Sequence, residues 1–331
     1  MIDEIPNSTD TPSESQRLSA QVVTNSLLAH VPGIVEASGA TALFLYVDAM
    51  DVEVPDFALP PQTKVFCVTK ASASDTETKF CGGQCLRVPN VPLTRIGQVK
   101  IAVFLALSRG LIRYGDRVVF MSGLVETKTL DTLIVTEVGR EYEIFAPGTE
   151  ISMMSDKILP EVVERVVDVA SELGSEGREG RPVGAMFVVG DTEHVLPLTR
   201  QLVLNPFKGY PPNERNILDS SLEETVKELA TLDGAFIVRG DGVMETCGAY
   251  VRTASQEEFE LPRGLGARHH AAAAITAVTE SIAVTVSEST GSITIFRSGR
   301  IITEIQKPRS TEAKSKLRLH PRKSGKPNAS Y

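Results

Sequence analysis

Short runs of β-branched and aromatic residues alternate with longer stretches of helical periodicity through most of the sequence. That alternation restricts the chain to layered α/β folds. Leu43-Phe44-Leu45-Tyr46-Val47 and Val65-Phe66-Cys67-Val68 are apolar at every position, as strands buried on both faces must be. Leu93 to Ile112 predicts a helix, with Ile96, Val99, Val103 and Leu107 near one face and Gly110 close to its end. Val118-Val119-Phe120-Met121 and Leu133-Ile134-Val135 predict two more strands. The expectation is an N-terminal α/β layer domain with a mostly parallel sheet over residues 18–147. Ahead of it, residues 1–17 are polar and turn-rich and read as a disordered leader.

A second unit is expected over 155–306, with the boundary near Ala146-Pro147-Gly148-Thr149. Ile158 to Leu173 carries Val162, Val166, Val169 and Leu173 on one helical stripe. Gly184 to Gly190 encloses an apolar strand, and Leu222 to Leu232 predicts a helix that delivers Asp233. A helix is expected from Arg268 to Ile282, then a strand at Ala283-Val284-Thr285-Val286. A closing hairpin pairs 292–296 with 300–302 across Ser298-Gly299.

The 331 residues carry a net charge of −8, which argues against a mainly nucleic-acid-binding body. No uninterrupted apolar run approaches the ~18 residues of a membrane span. The acidic start, Met1-Ile2-Asp3-Glu4, has no apolar segment behind it, so no secretory signal and a cytoplasmic location are expected. Four cysteines are too few for a disulfide framework. Cys81 and Cys85 lack a second Cys/His pair nearby, which favours plain thiols over a zinc site. The tail 307–331 is basic, with eight Lys and Arg against Glu312 alone. Without interleaved aromatics it reads as a solvated disordered tail with at most weak nucleic-acid contact.

Residues 231–291 concentrate the chemistry. Asp233-Gly234-Ala235 puts an acid and a glycine at the mouth of the apolar run Phe236-Ile237-Val238. Gly264-Leu265-Gly266-Ala267 approaches an alanine-rich helix whose free N–H groups favour an anion. Arg268 adds a planar cation suited to phosphate oxygens. Ser287-Glu288-Ser289-Thr290-Gly291 is a polar turn after a strand. Together these suggest a metal–nucleotide triphosphate site. His269 and His270 cannot readily share one ion, because adjacent helical residues point about 100° apart.

Three strings, Asp233-Gly234-Ala235, Gly266-Ala267-Arg268-His269-His270 and Val286-Ser287-Glu288, resemble the hallmarks of the diadenylate cyclase (DAC) family, with Cys247 to Val251 similar to its adenine-side strand. The resemblance covers about 155–305 and implies a mixed-sheet DAC domain flanked by helices. Gly115 to Gly123 with Asp131 to Val135 looks like the C-terminal domain of pyruvate kinases, and that domain order resembles archaeal-type members of the family. Condensation of two ATP into cyclic di-AMP and two pyrophosphates is the implied activity. Mn²⁺ or Mg²⁺ is the implied cofactor, and a homo-oligomer whose DAC faces meet at least transiently is the implied assembly.

By motif matching the resemblance assigns Asp233 to metal binding and to proton removal from the ribose 3′-hydroxyl. Arg268 and His269 become phosphate contacts, and Glu288 becomes the second metal ligand. Gly234, Ala235, Val251, Gly266, Ala267, His270 and Ser287 complete the ATP site. Departures stand at Ala267, His270 and Ser289, where many family members carry Thr, Arg and Glu. They leave open an alternative, a weak or inactive sensor that binds ATP or cyclic di-AMP.

Overall fold

The computed structural model describes residues 14–70, 84–140, 157–252, 261–262 and 264–306. The domain boundary near 146–149, the basic tail and Cys81 lie outside them. Helix α1 (Glu14–Ser38) begins inside the stretch read as a leader. Then come β1 (Ala42–Tyr46), β2 (Lys64–Thr69), β3 (Gln84–Arg87), α2 (Arg95–Ser108), β4 (Arg117–Leu124) and β5 (Thr129–Glu137). They form a five-stranded sheet in the order β3-β2-β1-β4-β5, parallel except for the β4–β5 hairpin. The expected mostly parallel layer is therefore present. Phe44 stacks between Phe66 and Phe120, with ring centroids 4.8 and 5.5 Å away, and knits three adjacent strands.

By length and composition α1 could cross a membrane over Arg17–Ser38, a feature the sequence reading did not single out. In the fold it lies against β5 and β4, burying Leu28, Val31 and Val35 on one side. Helix α2 is shorter than expected, starting at a Thr94 cap whose hydroxyl accepts from the Gly97 N–H at 3.0 Å. Ile96 is exposed instead of joining Val99, Val103 and Leu107, which are buried. The helix is otherwise buried nearly all round because it is held between the first sheet and the second unit.

The second unit contains α3 (Pro160–Glu176), β6 (Ala185–Val189), α4 (Thr192–Val195), β7 (Thr199–Gln201), α5 (Glu223–Leu229), β8 (Ala235–Val238) and β9 (Met244–Val251). It ends with α6 (Ala267–Val278), β10 (Ile282–Val286), β11 (Ile293–Arg297) and β12 (Arg300–Ile305). The seven strands run β12-β11-β10-β6-β8-β9-β7, and only β6–β8 is parallel. The expected mixed sheet is present. The expected helix to Ile282 stops at Val278, because extended Thr279 ends it and donates its hydroxyl to the Ile275 carbonyl at 2.7 Å. Ile282 already belongs to β10. Ser298 and Gly299, both at positive φ (49° and 75°), form the tight turn of the final hairpin.

The two units share a continuous apolar core, and Arg109 at the end of α2 makes a two-pronged ion pair with Glu164 of α3 at 2.6 and 2.7 Å. Nearby, burial pushes the Asp168 carboxyl up to about 6, although Arg87 of β3 and Arg165 pull it down. Folded and unfolded states are both protonated below the ordinary value of 3.8, so no cost arises there. As pH rises from there to about 6 the unfolded chain ionises first, stability falls, and the cost persists at higher pH. Asp168→Asn should therefore stabilise the fold by about 3 kcal/mol at pH 8 and by well under about 1 kcal/mol near pH 4, as read by urea unfolding at both pH values.

Candidate active site

Strand direction gathers the site at one edge of the seven-stranded sheet. Parallel β6 and β8 both start there, preceded by Gly184 and by Asp233-Gly234. Antiparallel β10 ends there, since Val286 pairs with Ala185, and hands on to Ser287 and Glu288. A three-residue connection turns α6 back against β10, so the N-terminus of α6 returns to the same edge. Strand β9 brings Ala249 opposite Ala235, and Ile305 of β12 lies opposite Ile293.

Gly234 is required by its own backbone. Its φ is +109°, and a Cβ there would lie 2.6 Å from the Gly248 carbonyl carbon and 2.7 Å from the Ala249 nitrogen. In the structure the backbone of β9 occupies the space that a side chain there would need.

These elements enclose a cavity of about 900 Å³. Asp233, Gly234, Ala235, Val251, Gly266, Ala267, Arg268, His269, Ser287 and Glu288 all line it. His270 does not: it is exposed on α6, rotated away from the wall that carries His269. Of the residues assigned by motif matching, His270 alone thus stands outside the cavity wall. Among the described residues no side chain caps α6, and its approach, Gly264 to Ala267, borders the cavity. The helix start thus offers backbone N–H groups to an anion.

Arg268 stands between two carboxylates, with Nη2 at 3.5 Å from Asp233 Oδ1 and Nη1 at 3.6 Å from Glu288 Oε2. The Asp233 side chain is 92 % exposed and that of Glu288 65 %, so both remain accessible from the cavity. Among the described residues no cluster of three or more His, Cys, Asp or Glu could hold a metal. Two carboxylates on the cavity wall nevertheless suit a hard divalent cation, which takes oxygen ligands and keeps several waters.

His269 is buried and meets Phe296 edge-on, centroids 6.1 Å apart. Burial lowers its pKa, His270 and Arg268 act the same way, and Glu304 opposes them. At neutral pH it is therefore an uncharged hydrogen-bonding ring. The Ser287 hydroxyl lies 3.2 Å from that of Ser289 and accepts from the Thr290 N–H at 3.4 Å, which fixes the turn.

Sequence reasoning missed Glu304, Leu202 and Met186 in the cavity wall, and Gly184 behind it. Glu304 comes from the closing hairpin, far along the chain from the motifs. Only strand register could have placed it. Tyr250 also lines the wall, with the Arg200 guanidinium 5.7 Å from its ring centroid.

Residues 172–301 match the family model described as DisA bacterial checkpoint controller nucleotide-binding, also designated DAC. A diadenylate cyclase of Methanocaldococcus jannaschii is 37% identical over 202 residues, 60% of this chain and 63% of that protein. The match thus leaves more than a third of that relative's length uncovered. A diadenylate cyclase of Haloferax volcanii is 33% identical over 212 residues, 63% of this chain and 74% of the relative. The solved structure of DacA from Staphylococcus aureus aligns with 47% of this chain and 92% of its own, at 20% identity and a TM-score of 0.30. The matched segment contains every cavity residue named above except Glu304, and by these matches the chain belongs to the diadenylate cyclase family.

Proposed function

We propose that this protein is itself a diadenylate cyclase, joining two ATP molecules into cyclic di-AMP. Each ribose 3′-oxygen forms a bond to the α-phosphorus of the other nucleotide, and each α-phosphorus releases pyrophosphate. The observation that carries this reading is the convergence of Asp233, Arg268 and Glu288 on one cavity at the open start of α6. Such transfers need positioning and charge neutralisation more than covalent help from the protein.

In this reading Asp233 accepts the proton of the 3′-hydroxyl, for which its exposure suits it. Arg268 and the α6 N–H groups hold phosphate oxygens, and uncharged His269 adds a hydrogen bond. Ser287 donates to the outer phosphates, while Val251 and Tyr250 form the apolar wall for the base. Asp233 and Glu288 would hold Mn²⁺ or Mg²⁺, which when bound neutralises the triphosphate and polarises the α-phosphate. One cavity takes one ATP, so turnover requires two protomers to meet with their cavities facing.

Incubating purified protein with ATP and Mn²⁺ should yield cyclic di-AMP and pyrophosphate in a 1:2 ratio. Where pairing is transient, the rate per protomer should rise with protein concentration. Saturable ATP binding without product, whatever the divalent cation, would overturn synthesis in favour of a nucleotide sensor.

A further inference from the structure

Gly184 lies just before β6, does not line the cavity, and is buried directly behind it. A Cβ on Gly184 would fall 2.5 Å from Arg268 Nη1, 3.1 Å from Arg268 Cζ and 3.1 Å from Glu288 Cβ. The guanidinium therefore rests against bare backbone, in the volume that any side chain would fill. Its φ is outside the left-handed region, so backbone conformation alone does not demand glycine. Gly234 differs in this respect, since the neighbours of its absent Cβ are backbone atoms of β9. At Gly184 the nearest neighbour is the free end of a long side chain, which can move without disturbing the sheet.

From that seat Arg268 spans Asp233 and Glu288 at 3.5 and 3.6 Å. A divalent cation shared by these carboxylates would meet the guanidinium at the same place, and like charges so close repel strongly in a partly enclosed site. We propose that Gly184 is a positioning residue that seats Arg268 between Asp233 and Glu288, so that Arg268 competes with the metal until the triphosphate draws it away. Metal and nucleotide then bind with positive coupling: phosphate oxygens take over the guanidinium, and the carboxylates are released to the metal. Thermodynamic linkage makes the coupling reciprocal. The idea rests on the nucleotide-site reading above but concerns binding alone, so it can be tested without turnover.

The test is a Mn²⁺ titration followed by electron paramagnetic resonance, with and without a non-hydrolysable ATP analogue, on wild type, Gly184→Ala, Arg268→Gln and the double variant. Wild type should bind Mn²⁺ at least about fivefold more tightly with the analogue than without it, the lower end of ordinary coupling. Gly184→Ala should keep its melting temperature and bind Mn²⁺ alone about fivefold more tightly than wild type, with most of the coupling lost. In turnover it should raise the ATP KM more than it lowers kcat. Arg268→Gln should show the same gain in Mn²⁺ affinity, and the double variant should add nothing, because both changes remove one competitor. Unchanged Mn²⁺ affinity in Arg268→Gln would overturn the proposal, and so would additive gains in the double variant. A wild type that shows the coupling yet makes no cyclic di-AMP would sink the cyclase reading and leave this one standing.

Discussion

Asp233→Asn should lower cyclic di-AMP formation by at least about a hundredfold, the least that a positioned proton acceptor ordinarily contributes. The change keeps the shape of the side chain and removes its charge and basicity. Asp233 is almost fully exposed, and its ion-pair contact is one long approach by Arg268, so little stability depends on it. Melting temperature and ATP binding should therefore stay near wild type while turnover falls. Mn²⁺ affinity in the presence of nucleotide should fall as well, because one of two protein donors loses its charge. Wild-type turnover in this variant would remove Asp233 from the chemistry.

Gly234→Ala should act on the fold before it acts on the reaction. The added methyl meets the Gly248 and Ala249 backbone at 2.6 and 2.7 Å, and the φ of +109° is one that side chains rarely adopt. Strain and overpacking together should cost about 3 kcal/mol or more, measured by urea unfolding. The two neighbours belong to β9, which pairs with β8 and β7, so relief by local movement would disturb a sheet. Gly184→Ala provides the contrast: a comparable overlap falls on the end of an arginine, and stability should be retained. Equal destabilisation by both changes would show that the distinction between backbone and side-chain neighbours is wrong.

Much of this arrangement was legible in the residues. Apolar runs such as Val65 to Val68 and Ala283 to Val286 lie within strands because continuous hydrophobicity demands burial on both faces. The α6 start was readable to within one residue, since glycines end where alanines begin. Strand β3 was not: within Gln84–Arg87 only Leu86 is fully buried, too little to stand out from its surroundings. Helix α1 was hidden by a polar start and by Pro32 inside it. At the site, local motifs singled out Asp233, Arg268 and Glu288, which one sheet edge brings together. They could not show that Gly184 backs Arg268 or that Glu304 closes the wall, because both depend on register between strands distant in sequence. The outward turn of His270 follows from helical geometry, which sets it about 100° from His269.

The claim on which the account depends is that Asp233, Glu288 and Arg268 serve one triphosphate. A crystal structure with Mn²⁺ and 3′-deoxy-ATP, which lacks the attacking hydroxyl, tests it most directly. The account predicts anomalous density for one Mn²⁺ between the Asp233 and Glu288 carboxylates and the phosphates, with the Arg268 guanidinium moved from between the carboxylates onto a phosphate oxygen. Nucleotide bound away from the α6 start, or Mn²⁺ held without either carboxylate, would contradict it.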